Sequence, residues 1–286
     1  MLPKPSGSLN TKAANMNKIT SVIARGDDGG VQITFTIPYE EIKKAHDDTA
    51  VELAKDIEVP GFRKGKAPVE QARKKIPQTS LIEHSLSHIL PKALADAVTE
   101  NKLKLALYPK YELIKAEERK DWEVVARTCE LPEIALGDYK TIITNVLREE
   151  SHSAKASRDE KEQMVIKALI ENIKITIPKI LVDEEVNSRL ASLLSKIEKL
   201  GLALESYLSS IGKNPETIRT EYETQVKEAI ALDLILSKVG EDQNISISDK
   251  EIEEAIKVAE AKPESKRLVE AVLKKRKALE FLSNLS

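Results

Sequence analysis

The stretch from Pro60 to Pro68 constrains the fold most, because prolines and glycines interrupt a helical pattern there. Apolar residues recur at helical spacing over residues 42–57, and a second helical pattern follows Pro68. Pro60 is unfavourable inside a helix, whereas Pro68 suits a first helical position. Gly61 and Gly65 permit a tight turn with positive φ. The sequence therefore predicts two helices joined by a short, stiff projection.

The predicted turn displays one large ring, Phe62, and three cations, Arg63, Lys64 and Lys66. Over residues 63–75 there are six basic residues and one acidic residue. A phenylalanine at the tip of a loop has no core to enter, so this pattern indicates an anchor for a partner surface. The alternative is a basic loop that is merely solvated, which is the common role of such charge runs.

A phosphate-binding loop is a second alternative, because Gly61, Gly65 and Lys66 resemble part of one. That motif needs four residues between its glycines, a Ser or Thr after the lysine, and a preceding strand. Here three residues separate the glycines, Ala67 follows the lysine, and a helical pattern precedes. We therefore expect no nucleotide site, and no other pattern indicates a cofactor.

The first half of the chain otherwise alternates between strand and helix patterns. Residues of alternating polarity predict strands over 18–25, 31–37, 111–114 and 122–128. A further helix with apolar residues on one face is predicted over residues 82–97. The order strand, strand, helix, loop, helix, helix, strand, strand predicts an α+β domain, with helices on one face of an antiparallel sheet.

The second half has a helical period from Arg158 nearly to the last residue. Gly201 and Gly240 are predicted helix ends, and Pro215 a predicted helix start. The sequence Ser248–Glu251 predicts a capping box, in which a serine and a glutamate satisfy backbone N–H groups at a helix start. The sequence therefore predicts an all-α, multi-helix second domain with arms.

The eight residues from Gly61 to Pro68 resemble the ribosome-docking signature of the trigger factor family of bacterial chaperones. In that family the loop docks on a large-subunit ribosomal protein and nearby rRNA beside the exit tunnel. The resemblance assigns ribosome binding to Gly61, Phe62, Arg63, Lys64, Gly65 and Lys66. It implies an ATP-independent chaperone in the bacterial cytoplasm, partly ribosome-bound, whose clients are nascent and unfolded polypeptides. It leaves open whether the free protein forms a homodimer.

The resemblance also implies a domain plan. We expect a disordered lead-in at 1–15, a ribosome-binding domain at 16–134, an extended linker at 135–157 and a helical client-binding domain at 158–286. In trigger factor the linker leads into a prolyl-isomerase domain of the FK506-binding type. The interval between Val146 and Met164 is far shorter than the roughly 50 residues of a folded module. Tyr139 is the only aromatic residue between Trp122 and Tyr207. We therefore expect the isomerase domain to be missing, and no catalytic residue is predicted.

Composition excludes several other classes of protein. The 45 basic and 47 acidic residues nearly balance, so any contact with nucleic acid must be local. The single cysteine, Cys129, excludes a disulfide framework and a cysteine-ligated metal cluster, which fits a reducing compartment. His84 and His88 have the i, i+4 spacing that can clasp a metal, but no third ligand is evident, so we expect a surface or packing role. No apolar run approaches the ~20 residues that span a bilayer.

Two other functions fit parts of the pattern. One is a secreted parvulin-type folding factor, whose non-catalytic module has similar helical arms. The start of the chain lacks the hydrophobic core of a signal peptide, which argues against it, although the sequence does not decide between Met1 and Met16 as the first residue. The other is a helical adaptor without chaperone activity, in which the basic loop is incidental.

Overall fold

A computed structural model describes residues 18–151, 157–260 and 262–285 of the chain. These residues divide into two compact units, with the division between Leu131 and Pro132. The lead-in expected at 1–15 lies outside the described residues.

The first unit contains four strands and three helices in the predicted order. The strands are β1 (Thr20–Arg25), β2 (Gly30–Ile37), β3 (Lys110–Lys115) and β4 (Trp122–Cys129), and the helices are α1 (Tyr39–Leu53), α2 (Val69–Arg73) and α3 (Gln78–Asn101). All neighbouring strands are antiparallel, in the spatial order β1-β2-β4-β3. The α+β class predicted from the sequence is confirmed.

The core of the first unit lies between this sheet and the helices. Alternate residues of β2 are buried, from Val31 to Ile37, because successive side chains of a strand point to opposite faces. They pack in one cluster with Ile42 of α1 and with Leu90, Ala93 and Ala97 of α3. The sheet thereby fixes α1 and α3, which lead into and out of the segment that carries the predicted loop.

The helices are the only regular elements among the described residues of the second unit apart from one 3-10 turn, which confirms the predicted all-α class. Its helices are α4 (Tyr139–Ser151), α5 (Arg158–Asn172), α6 (Lys179–Lys199), α7 (Leu204–Ser210), α8 (Pro215–Asp242), α9 (Asp249–Val258) and α10 (Lys266–Ser283), with one 3-10 turn at Pro263–Ser265. Two clusters join five of these helices. The larger one joins α4, α5, α8 and α10, and the smaller one joins α6 to α8 through Val182, Val186 and Val226.

Local signals in the second half place several helix boundaries correctly. Ser248 and Glu251 form the predicted capping box at the start of α9. Asn214 caps α8, and its side chain accepts a hydrogen bond from the backbone N–H of Thr217. Gly201 follows the end of α6 with a φ of +70°, a conformation that glycine adopts without strain.

Two segments differ from the expectation. Residues 139–151, within the expected extended linker, form helix α4, because Tyr139 and Ile143 enter the larger cluster. The Tyr139 hydroxyl also donates a hydrogen bond of 2.7 Å to Asp242. The predicted helix end at Gly240 is wrong, since α8 continues to Asp242. A glycine inside a helix costs about 1 kcal/mol, and burial of the neighbouring Val239 offsets that cost.

None of the helices in the described part of the chain is both long enough and apolar enough to cross a membrane.

Candidate functional site

Two consecutive hydrogen-bonded turns form the projection between α1 and α2. In the first turn the backbone N–H of Phe62 donates to the carbonyl of Val59 at 3.0 Å. In the second the backbone N–H of Lys66 donates to the carbonyl of Arg63 at 2.9 Å. We call residues 59–66 the tip loop. Because each turn closes its own hydrogen bond, the tip loop has a defined backbone path.

The third residue of each turn is a glycine with positive φ, +87° at Gly61 and +72° at Gly65. With Pro60 ahead of Gly61, the first turn has the sequence and the φ that a type II turn requires. Gly65 has a second constraint, because a Cβ atom built there would lie 2.7 Å from the carbonyl oxygen of Lys55. The predicted need for glycine at both positions agrees with this backbone.

Small side chains pack beneath the tip loop. Ala54, Val59 and Ala72 are buried in one cluster, with Ile57 and Ala67 against them. Because alanines allow close approach, the end of α1 and the start of α2 lie together without long side chains between them. The Arg73 guanidinium also contacts the Asp47 carboxylate at 2.7 Å. These contacts give the tip loop a packed base.

The tip loop exposes the ring and the cations that the sequence singles out. Phe62 is 42% exposed, and Arg63, Lys64 and Lys66 are also exposed. Lys64 Nζ lies 3.7 Å from Asp56 Oδ1, whereas the described residues offer no ion pair to Arg63 or Lys66. The six predicted site residues thus lie on one loop, with the polar and aromatic groups directed to solvent rather than into a pocket. This arrangement suits a docking surface and not a catalytic site.

Sequence reasoning does not single out Asp56, which lies beside the tip loop at the end of α1. The Asp56–Lys64 pair spans a chain reversal, so its existence depends on the backbone path through the two turns. The local sequence carries no signal for this pair.

His46 and Cys129 pack within the first unit, whereas His84 and His88 lie on its surface. His46 packs edge-on against Trp122, with ring centroids 5.3 Å apart. Burial makes the largest contribution to lowering the pKa of His46, and the nearby positive charge of Arg73 lowers it further. His88 Nε2 lies 3.1 Å from a carboxylate oxygen of Glu52. Cys129 is buried, and burial raises the pKa of its thiol to about 11. Within the ranges that the structure describes, no three metal-ligating side chains come together.

Exposed apolar side chains of the second unit concentrate in two segments. The first, around the end of α6 and α7, contains Leu194, Leu200, Leu202 and Ile211. The second, on α9 and α10, contains Val258, Leu268 and Val272. We call them the α6–α7 segment and the α9–α10 segment. These exposed side chains offer apolar surface for weak contact with another chain.

Two protein-family models together match most of the chain. The model described as "Bacterial trigger factor protein (TF)" matches residues 21–165, and the model described as "Bacterial trigger factor protein (TF) C-terminus" matches residues 138–285. The matches overlap, so no residue between 21 and 285 falls outside them.

Curated relatives match up to about half of the chain. Trigger factor of Streptococcus mutans is 38% identical over 142 residues, which are 50% of this chain and 33% of that protein. Trigger factor of Streptococcus agalactiae serotype III is 40% identical over 114 residues, which are 40% of this chain and 27% of that protein. The matched part of the chain thus spans about a third of the length of these relatives.

A solved structure described as "Promiscuous Substrate Recognition in Folding and Assembly Activities of the Trigger Factor Chaperone" has the same fold. It superposes with a TM-score of 0.65 over 93% of this chain and 100% of that chain, at 15% identity. Each family model covers about half of the sequence, and the described fold agrees with both. The chain therefore belongs to the trigger factor family.

Proposed function

We propose that this protein is an ATP-independent chaperone of the bacterial cytoplasm that docks beside the ribosomal exit tunnel through its tip loop. The observation that carries this proposal is the exposure of Phe62, Arg63 and Lys64 on two glycine-dependent turns with a packed base. The residues that would make the contacts are Gly61, Phe62, Arg63, Lys64, Gly65 and Lys66.

The side chains of the tip loop suit a mixed surface of protein and rRNA. An exposed ring gains free energy when a partner removes it from water, and aromatic anchors often dominate binding energy at interfaces. Arg63 and Lys66 are without an ion pair among the described residues, so each is available for a charge-assisted hydrogen bond to a carboxylate or a phosphate. A large-subunit protein with adjacent rRNA offers both kinds of acceptor.

The second unit would then hold nascent and unfolded polypeptides. Docking raises the effective concentration of the chaperone at the point where a chain emerges. The α6–α7 and α9–α10 segments offer apolar side chains for contacts that do not depend on a particular client sequence. Ion pairs such as Lys274–Glu270 and Lys266–Asp249 line the same helices and limit how much apolar surface a client can cover. Release would follow from folding of the client.

We further propose that this chain has no prolyl-isomerase activity. The overlap of the two family matches between residues 138 and 165 leaves no unmatched interval for an inserted module. A homodimer of the free protein is a state that the family resemblance allows, and analytical ultracentrifugation distinguishes it from a monomer.

Co-sedimentation with ribosomes tests the docking. Replacing Phe62, Arg63 and Lys64 together by alanine should weaken binding at least a hundredfold, since each contact contributes on the order of 1–3 kcal/mol. The fold should be retained, because these side chains are exposed.

The matched control is Lys74→Ala with Lys75→Ala, which also removes two exposed cations but lies outside the tip loop. It should lose no more than a few-fold in affinity. Retention of ribosome binding by the triple variant, or equal losses by both variants, would show that the tip loop is not the docking site.

A further inference from the structure

Lys64 differs from the other cations of the tip loop because it already has an anionic partner. Its ammonium nitrogen lies 3.7 Å from Asp56 Oδ1, and both side chains are exposed. Arg63 and Lys66 have no such partner among the described residues. Within the described ranges, the tip loop therefore presents two cations without an ion pair and one, Lys64, that must exchange Asp56 for an external acceptor.

Stability of the fold does not explain an acid at position 56. Asp56 lies just beyond the end of α1, after the C-cap residue Ala54 and Lys55, and its backbone N–H donates to the Leu53 carbonyl at 3.1 Å. A negative charge there faces the negative end of the helix dipole, which is unfavourable. An exposed ion pair adds little stability in return.

We propose that Asp56 is a specificity-determining residue: by occupying Lys64 it weakens the binding of single-stranded RNA to the tip loop through phosphates. A bare RNA chain offers phosphates, and its bases can stack on Phe62, but it offers no pocket that encloses the ring, so it offsets the displacement of Asp56 less fully. A surface of protein and rRNA that also encloses the Phe62 ring can offset the loss of the Asp56–Lys64 contact more fully. A protein can gain specificity in this way, because a contact that makes binding of the competing partner less favourable raises the preference for the other one.

The biological sense of this proposal rests on the proposed ribosome docking, but its measurement does not need ribosomes. The probe is a fluorescein-labelled 12-nucleotide oligouridylate, and binding to the full chain is followed by fluorescence anisotropy between 50 and 200 mM KCl. Each cation that neutralises a phosphate of a single strand steepens the dependence of log K on log salt by about 0.7.

Asp56→Asn should bind the oligouridylate about threefold more tightly at low salt, the scale set by an exposed ion pair. Its salt dependence should be steeper by about 0.7, because Lys64 joins the contact. In a Lys64→Ala background the same substitution should leave the salt dependence unchanged. Thermal unfolding of each variant verifies that the fold is retained.

The matched control is Glu58→Gln, which removes the same charge two residues away from an exposed acid that has no ion pair within the described ranges. It should leave the salt dependence as in the parent protein. Equal effects of the two substitutions, an unchanged slope for Asp56→Asn, or no measurable RNA binding by that variant would overturn the proposal.

Measuring ribosome binding by the same variants separates the proposal on Asp56 from the proposal on ribosome docking. Asp56→Asn should change ribosome affinity less than oligouridylate affinity, so that selectivity falls. If the parent protein does not bind ribosomes at all, the docking proposal fails whatever the RNA result. If the parent binds ribosomes but Asp56→Asn leaves selectivity unchanged, only the role of Asp56 is contradicted.

Discussion

At the scale of single residues, the two glycines of the tip loop share a positive φ but differ in their surroundings. A Cβ atom at Gly65 would lie 2.7 Å from the Lys55 carbonyl oxygen, whereas one at Gly61 would meet nothing within 4 Å. The first contact is with backbone, which cannot rotate away as a side chain can. The same substitution should therefore have unequal consequences at the two sites.

We expect Gly61→Ala to destabilise the first unit by about 1–2 kcal/mol, the usual cost of a left-handed conformation for a residue with a Cβ atom. Gly65→Ala should cost more than about 2 kcal/mol, because strain from the carbonyl contact is added. Urea unfolding followed by the fluorescence of Trp122 measures both values, since this residue is the single tryptophan and is buried in the first unit. Equal losses of unfolding free energy would mean that the backbone near Lys55 moves to relieve the contact at little cost.

The sequence predicts the displayed residues of the site but not their internal contacts. Phe62, Arg63 and Lys64 stand out because proline and glycine fix a turn around them. The Asp56–Lys64 pair and the approach of Gly65 to Lys55 join residues across the turn, and both depend on its backbone path. Local spacing carries no such information.

At the scale of elements, the start of α9 shows how a local motif and a tertiary contact meet on one side chain. The Glu251 carboxylate accepts a hydrogen bond from the backbone N–H of Ser248 at 2.9 Å. It also contacts Lys277 of α10 at 2.7 Å. Together these contacts lower the pKa of Glu251 to about 2, with the largest contribution from Lys277 and smaller ones from the hydrogen bonds of Ser248.

Protonation of Glu251 should therefore weaken the attachment of α9. Because its pKa is lower in the folded state than in the unfolded chain, its stabilising contribution is complete above about pH 4.5 and is lost as pH falls towards 2. We expect Glu251→Gln to reduce amide protection in α9 at pH 5, and this difference from the parent should shrink at pH 2.5. Hydrogen exchange measures both.

The control for Glu251 is Glu254→Gln on the same helix, whose carboxylate lies 3.9 Å from Lys250 and takes no part in the cap. It removes the same charge and should change protection much less at pH 5. If both variants behave alike, the net charge of α9 matters and the cap does not.

Elements with strong local signals are those that the sequence predicts. Alternation over residues 31–37 predicts β2, and proline or glycine places the ends of α6 and the start of α8. Helix α4 is different, because Tyr139 is held by a hydrogen bond to Asp242, about a hundred residues away in the chain. Helix α7 has only seven residues, too few for a clear period.

At the scale of the whole molecule, the chain combines the exposed tip loop with apolar helical surface and few aromatic side chains. Only 3% of its residues are aromatic. A prolyl isomerase needs a shaped pocket that excludes water, whereas holding a client needs only accessible apolar surface. The two activities should therefore separate in this protein.

We expect the purified protein to leave the rate of a proline-limited refolding reaction unchanged in catalytic amounts. Uncatalysed isomerisation takes tens of seconds, so a catalyst is readily detected against it. Saturable acceleration would contradict the proposed absence of an isomerase.

At near-stoichiometric amounts the same protein should suppress aggregation of the same client, because an exposed apolar segment of the client can be covered by the α6–α7 and α9–α10 segments. Leu200→Ser with Val258→Ser should weaken this suppression, since these side chains are 71% and 86% exposed in the second unit. Val22→Ser with Val51→Ser removes exposed apolar side chains from the first unit and should leave it nearly unchanged. The comparison controls for a general loss of hydrophobicity. Failure of the parent protein to suppress aggregation, or equal losses in the two double variants, would mean that the helical unit does not hold clients through these segments.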